Sequence, residues 1–147
     1  MGFAVHYSVI PAISALPVEL AAATEMLDEE RQDLPQDPTD INVYTFSRIG
    51  EHNIVISCLP AGQMGTNSAA AVASQMKSKF PSFRFGLIVG IGGGVPSAQS
   101  DIRLGDIVIS QQHLQHGGVV QYGFGKIGVD GHFTRTGSLN VPPAVLL

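Results

Sequence analysis

Gly90-Ile91-Gly92-Gly93-Gly94-Val95-Pro96 follows directly on the apolar run Phe85 to Val89 (FGLIV). Glycines at the carboxyl end of a strand let the backbone turn tightly and bring bare N–H groups up to a ligand oxygen, whether of a phosphate, a ribose hydroxyl or a carboxylate. The spacing excludes two phosphate cradles. Gly90-x-Gly92 is followed three residues on by Val95 with no capped helix after it, unlike a dinucleotide fingerprint, and no Lys-Ser or Lys-Thr follows the glycines as a P-loop requires. On the residues alone the loop is either a ligand cradle or a structural turn.

Glu19 is the second candidate, because it falls in the first turn of a helix opened by Pro17, just beyond the end of the first strand. If the strands before Glu19 and before Gly90 are parallel neighbours, the carboxylate and the loop share one rim, where a carboxylate works as general acid or base. The alternative is a purely helical role, since the macrodipole alone favours an acidic side chain there. Other reactive types offer less. His113 and His116 (HLQH) lack the i, i+4 spacing of a helical metal pair and have no Cys or third His beside them, so they read as solvated loop residues and no metal is expected. Cys58 sits in an apolar strand as a small core residue, Asp106 reads as a turn former, and Ser68 has no nucleophile elbow around it.

The elements that must position these residues can be traced along the chain. Tyr7 to Ser14 (YSVIPAIS) predicts a strand, and Pro17 onward predicts a helix with Leu20, Ala23 and Leu27 on its apolar side. Glu25, Asp28, Glu29, Glu30 and Arg31 crowd its last turns, and the breaker cluster LPQDPTD stops it near Asp33. Ile41 to Phe46 and Asn53 to Leu59 are two β-type runs joined by a hairpin turn at Arg48 to His52. Gly62 to Ser68 opens a second, alanine-rich helix that Pro81 ends. The continuous apolar run Phe85 to Val89 predicts a strand buried on both faces of a parallel sheet. Gly105 to Ser110 (GDIVIS) predicts another strand, with further β runs at Val119 to Tyr122 and His132 to Arg135, and Pro142-Pro143 predicts the first turn of a helix. The alternation gives an α/β fold, a mixed, mostly parallel sheet flanked by helices. A finish on the first turn of an apolar helix predicts that residues 1–147 are one domain, truncated after its first part.

Composition narrows the function classes. The 147 residues are 44% hydrophobic and 14% charged, enough to bury a core. Lys+Arg number 8 against 12 Asp+Glu, a net charge of -4, and no basic run is present, so nucleic acid is not an expected partner. A single cysteine cannot form an intrachain disulfide, and the apolar stretches are broken well short of a membrane span. With no basic, cleavable leader at the start, the expected setting is the cytoplasm, away from membranes.

Four segments in order carry a resemblance: Ala15-Leu16-Pro17-Val18-Glu19-Leu20, Gly62-Gln63-Met64-Gly65, Leu87-Ile88-Val89-Gly90-Ile91-Gly92-Gly93-Gly94-Val95, and Leu104-Gly105-Asp106-Ile107-Val108-Ile109-Ser110. Together they resemble the nucleoside phosphorylase and nucleosidase superfamily, and most of all the phosphorylase-like domain at the front of fungal multidomain proteins that continue into NACHT, ankyrin or tetratricopeptide segments. The resemblance implies an α/β sandwich that binds a nucleoside and cleaves its N-glycosidic bond with phosphate or water as co-substrate and no other cofactor. It places Glu19 where nucleosidases position the attacking water, and Gly90, Ile91, Gly92 and Gly93 where the loop approaches ribose and nucleophile. It also implies a homo-oligomer for the full-length relative. Three departures stand against activity. Ile91 replaces a loop Ser, Ile88 replaces a phosphate-binding Arg, and the later half of the family domain, with the base pocket and the acid for the leaving base, lies past Leu147. The expectation is a nucleoside-binding domain that is inactive as this chain, the alternative a non-catalytic nucleoside-sensing or interaction module of a NACHT/ankyrin-type protein.

Overall fold

The computed structural model describes residues 9–30, 39–113, 116–120, 122–123 and 125–146. They fall into two compact units, Met1–Gly93 and Gly94–Leu147. In the first unit the order is β1 (Val9–Ser14), α1 (Pro17–Glu25), β2 (Glu29–Glu30), β3 (Tyr44–Ile49), β4 (His52–Cys58), α2 (Thr66–Lys79) and β5 (Leu87–Ile88). The five strands form one mixed sheet in the order β2-β3-β4-β1-β5, with β1 parallel to both β4 and β5 and the β2-β3 and β3-β4 pairs antiparallel. The α/β reading with a mixed sheet and flanking helices therefore holds.

Period-two alternation along β1 and β4 sends successive side chains to opposite faces. On one face Ile13 and Val55 join Tyr44, Leu59 and the α2 residues Val72 and Met76; on the other Ala12, Ile54 and Ile56 meet Leu20, Ala23 and Leu27. Each helix covers one face, and the pleat of two strands decides which side chain it meets. The α2 contacts come from Ala69, Val72 and Met76, at the helical spacing that brings side chains onto one stripe. Tyr44, Phe46 and Phe80 add edge-on ring contacts at centroid distances of 5.4 and 5.8 Å to Phe80.

Several expectations are corrected. Helix α1 ends at Glu25, because Asp28 N–H donates to Arg48 O and Glu29–Glu30 pair with Ser47 and Arg48 as an edge strand; sheet pairing overrides the helical reading of Asp28 to Glu30. The stop near Asp33 lies outside the described residues. The hairpin is tighter than its five-residue segment suggested: Ile49 pairs with His52 around Gly50-Glu51, with Gly50 at φ 55 as primed two-residue turns require. The strand expected at the centre of the sheet, Phe85 to Val89, is reduced to Leu87–Ile88 at its edge, where Ile88 is 78% exposed. A strand is buried on both faces only when it is flanked by strands and covered by helices, and among the described residues β5 has β1 on one side alone.

The second unit holds β6 (Gly125–Ile127) and β7 (Phe133–Arg135), an antiparallel pair, and a 3-10 turn at Ala144–Leu146 in place of an α-helical start. Gly105–Ser110 forms no strand, and Ile107, Val108 and Ile109 stand exposed, because no backbone among the described residues pairs with them. Val119 and Val120 are likewise outside any strand, and residue 121 lies outside the described residues. Among the described residues no helix is long and apolar enough to cross a membrane.

Candidate functional site

The parallel strands β1, β4 and β5 release their chains at the same end of the sheet. Leu59 N–H donates to Ser14 O at 3.0 Å and Val89 N–H to Ile13 O at 3.0 Å, so the segments that leave β4 and β5 start on either side of the end of β1. Helix α1 begins there too. Pro17 suits its first position, and Glu19 is its third residue, placed to reach back to the helix start.

Glu19 does reach back. Its Oε2 accepts the N–H groups of Ala15 and Leu16, each at 2.9 Å, and its Oε1 accepts the N–H of Ile91 at 2.7 Å. Glu19 is 7% exposed, and its carboxylate ties the start of α1 to the glycine loop. The Ile91 N–H, followed by those of Leu16 and Ala15, holds the carboxyl below its ordinary value, against the opposite push of burial. At neutral pH Glu19 is therefore an ionised acceptor or base and not a proton donor. A carboxylate offers about four lone-pair positions. Three are filled by backbone N–H, and the remaining one is on Oε1.

Gly90 fits against this carboxylate because it has no side chain: a Cβ there would lie 2.7 Å from Oε1 and 3.0 Å from Cδ of Glu19. Gly92 and Gly93 have open space where a Cβ would project. Ile91 contributes its backbone, while its side chain is 74% exposed. The structure thus brings together Glu19, Gly90 and Ile91, and leaves Gly92 and Gly93 as exposed backbone beside them. Sequence reasoning missed the amides of Ala15 and Leu16. The available signal was Glu19 at the third helical position, the reach-back half of a capping box, obscured because Leu16 has no oxygen to supply the other half.

Cys58 is the last residue of β4 and pairs in register with Ser14. It is half-buried, and burial and then the Glu19 charge push its thiol up. Ser14 is 1% exposed, and among the described residues its Oγ has no hydrogen-bond partner. Asp106 Oδ2 accepts Arg103 N–H at 2.8 Å, which pins the turn Arg103–Asp106. His113 and His116 face each other across an antiparallel bridge, and Arg135 Nη1 lies 3.3 Å from His116 Nδ1. Among the described residues no group of three His, Cys, Asp or Glu could hold a metal ion. A cavity of about 220 Å³ is lined by Thr39, Asp40, Ser74, Gln75, Ser78 and Lys79 and shares no residue with the Glu19 rim. Beside it Lys79 Nζ lies 3.7 Å from Asp40 Oδ2, and Gln75 Oε1 accepts from Asn42 Nδ2 at 2.7 Å.

Comparison with known proteins gives two matches. A family model described as the phosphorylase superfamily matches residues 10–146. A nucleotide-binding leucine-rich repeat (NLR)-like protein of the fungus Hyaloscypha variabilis is 53% identical over 136 residues, which is 92% of this chain and 13% of that protein. The chain therefore spans a small part of the curated relative that it matches. No solved structure matches it significantly.

Proposed function

The chain belongs to the phosphorylase superfamily, and from that premise we propose that Glu19 and Gly90–Gly93 form one wall of a nucleoside site. The observation that carries this reading is the 2.7 Å hydrogen bond from Ile91 N–H to Glu19 Oε1, between residues 72 apart in the chain. It sets an ionised carboxylate with one open acceptor position beside exposed glycine backbone. A neutral, hydroxyl-rich ligand suits that pair, since the carboxylate accepts from O–H and backbone N–H groups donate to ribose oxygens.

In this reading Glu19 orients one donor, either a ribose hydroxyl or the attacking water, and Gly92 and Gly93 admit the ligand close to the backbone. Water is favoured over phosphate as co-substrate: the charge on Glu19 repels a phosphate dianion, and Ile88 and Ile91 supply neither a guanidinium nor a hydroxyl to hold one. No metal or organic cofactor is required. In hydrolysis the water oxygen would bond to the anomeric carbon, its proton passing through the Glu19 carboxylate to solvent, as the glycosidic C–N bond breaks and its electron pair leaves on the base. The base must then gain a proton, which an acid as strong as Glu19 does not retain at neutral pH. In this reading Glu19 does not supply that proton, and nucleoside binding without turnover is the behaviour expected of the chain.

A second reading has one specific observation in its favour, the similarity to an NLR-like protein. There, nucleoside occupancy would inform other domains of a larger cytoplasmic, homo-oligomeric protein. Calorimetric titration with adenosine, inosine and uridine, together with base-release assays with and without phosphate, tests both readings. Saturable binding without release is the expected result. Release abolished by Glu19→Ala would establish catalysis, and failure of all three nucleosides to bind would overturn the site.

A further inference from the structure

We propose that the Glu19 carboxylate is a latch that holds Gly90–Gly93 against the end of β1, and that ligand passage opens it by exchanging the Ile91 N–H for a ligand O–H. The nature of the ligand rests on the nucleoside reading; the latch rests on the geometry of the rim. Oε2 is fixed by the Ala15 and Leu16 amides of its own helix start, so the carboxylate keeps its orientation whatever the loop does. The loop has no such support. Val89 N–H to Ile13 O is the last hydrogen bond that ties it to the sheet, and among the described residues the Ile91 N–H to Oε1 bond is the one hydrogen bond made by Gly90–Gly93.

Gly90 stands between these two anchors as the pivot, where an added Cβ would lie 2.7 Å from Glu19 Oε1, and Gly92 and Gly93 have open space where a Cβ would project. A segment held by a sheet bond at one end and a single charge-assisted bond one residue past the pivot opens at little cost when that one bond is replaced. A ligand hydroxyl is such a replacement. It docks at the open position of Oε1 while Ile91 is still bound and takes over as Ile91 leaves, so no buried acceptor is orphaned during the exchange.

Amide hydrogen exchange followed by NMR tests the latch. In Glu19→Gln the remaining oxygen satisfies most donors by turning to Ala15 and Leu16, which sets the new NH2 group against Ile91 N–H. Exchange at Ile91 is expected to rise roughly tenfold or more, with Ala15 and Leu16 still protected. Gly90→Ala should also speed Ile91 exchange by forcing the carboxylate and loop apart, whereas Gly92→Ala should leave it unchanged. Unaltered Ile91 exchange in both Glu19→Gln and Gly90→Ala would overturn the latch, as would equal loss of protection at Ala15, Leu16 and Ile91, which marks a melted helix start. Adenosine, inosine and uridine then separate the two ideas. A change in wild-type Ile91 exchange on binding supports the latch, and binding without any change removes it while the nucleoside site stands. Failure of all three to bind removes the nucleoside reading and leaves the Glu19→Gln result to decide the latch.

Discussion

At the scale of residues, Glu19 matters through its charge. Three backbone N–H groups converge on it and hold its carboxyl below the ordinary value of 4.5, so its contribution to stability is fully present above that value. The contribution is lost as pH falls through the lowered, folded-state value. Ile91 amide protection, followed from about pH 6 down to about pH 2, should therefore stay level and collapse only below 4.5. In Glu19→Gln it should be low and flat throughout; a wild-type collapse near neutral pH would contradict the assignment. Both partners in this contact were legible in the sequence as candidates, the glycines from their position after an apolar run and Glu19 from its place in a first turn. The bond between them was not, because it is made by the amide of Ile91, and side-chain identity says nothing about where a backbone N–H points. Ile91 marks the same limit from the other side. Its missing hydroxyl was visible in the sequence, while its structural role lies in an atom that every residue except proline carries.

At the scale of elements, periodicity served well where a segment buries one face and poorly where pairing decides. Helix α2 was legible from its alanine-rich run and its ending before Pro81. Met76 is 1% exposed on its buried stripe, so Met76→Ala should destabilise the fold by about 2–5 kcal/mol in chemical denaturation. A loss within experimental error would mean that α2 does not cover the sheet as described. Helix α1 was overextended because Asp28 to Glu30 suit a helix end and an edge strand alike, and the backbone of Ser47 and Arg48 settles the choice. The run Phe85 to Val89 was assigned to a central strand because it is apolar throughout, but apolar composition cannot report whether a neighbouring strand is present. The same ambiguity explains Gly105–Ser110, which has the composition of a strand and no partner among the described residues.

At the scale of the whole molecule, the unpaired edge at β5 carries Ile88 at 78% and Val89 at 46% exposure, and the second unit exposes Leu104, Ile107, Val108 and Ile109. Exposed strand edges and apolar surface favour association. Sedimentation velocity on the 147-residue chain should show concentration-dependent self-association, reduced by Ile88→Lys, and a monodisperse monomer at all concentrations would contradict this. Family membership was legible from four short segments in a fixed order, although the last of them, Leu104–Ser110, forms no strand. The central claim is that Glu19 and the glycine loop bind a nucleoside, and it is tested most directly by calorimetric titration of adenosine, inosine and uridine into wild-type protein and Gly90→Ala. The account predicts saturable binding of at least one nucleoside to wild type and at least about tenfold weaker binding to Gly90→Ala, whose added Cβ would press on the carboxylate. Binding of none of the three, or equal affinity in the two proteins, would contradict it.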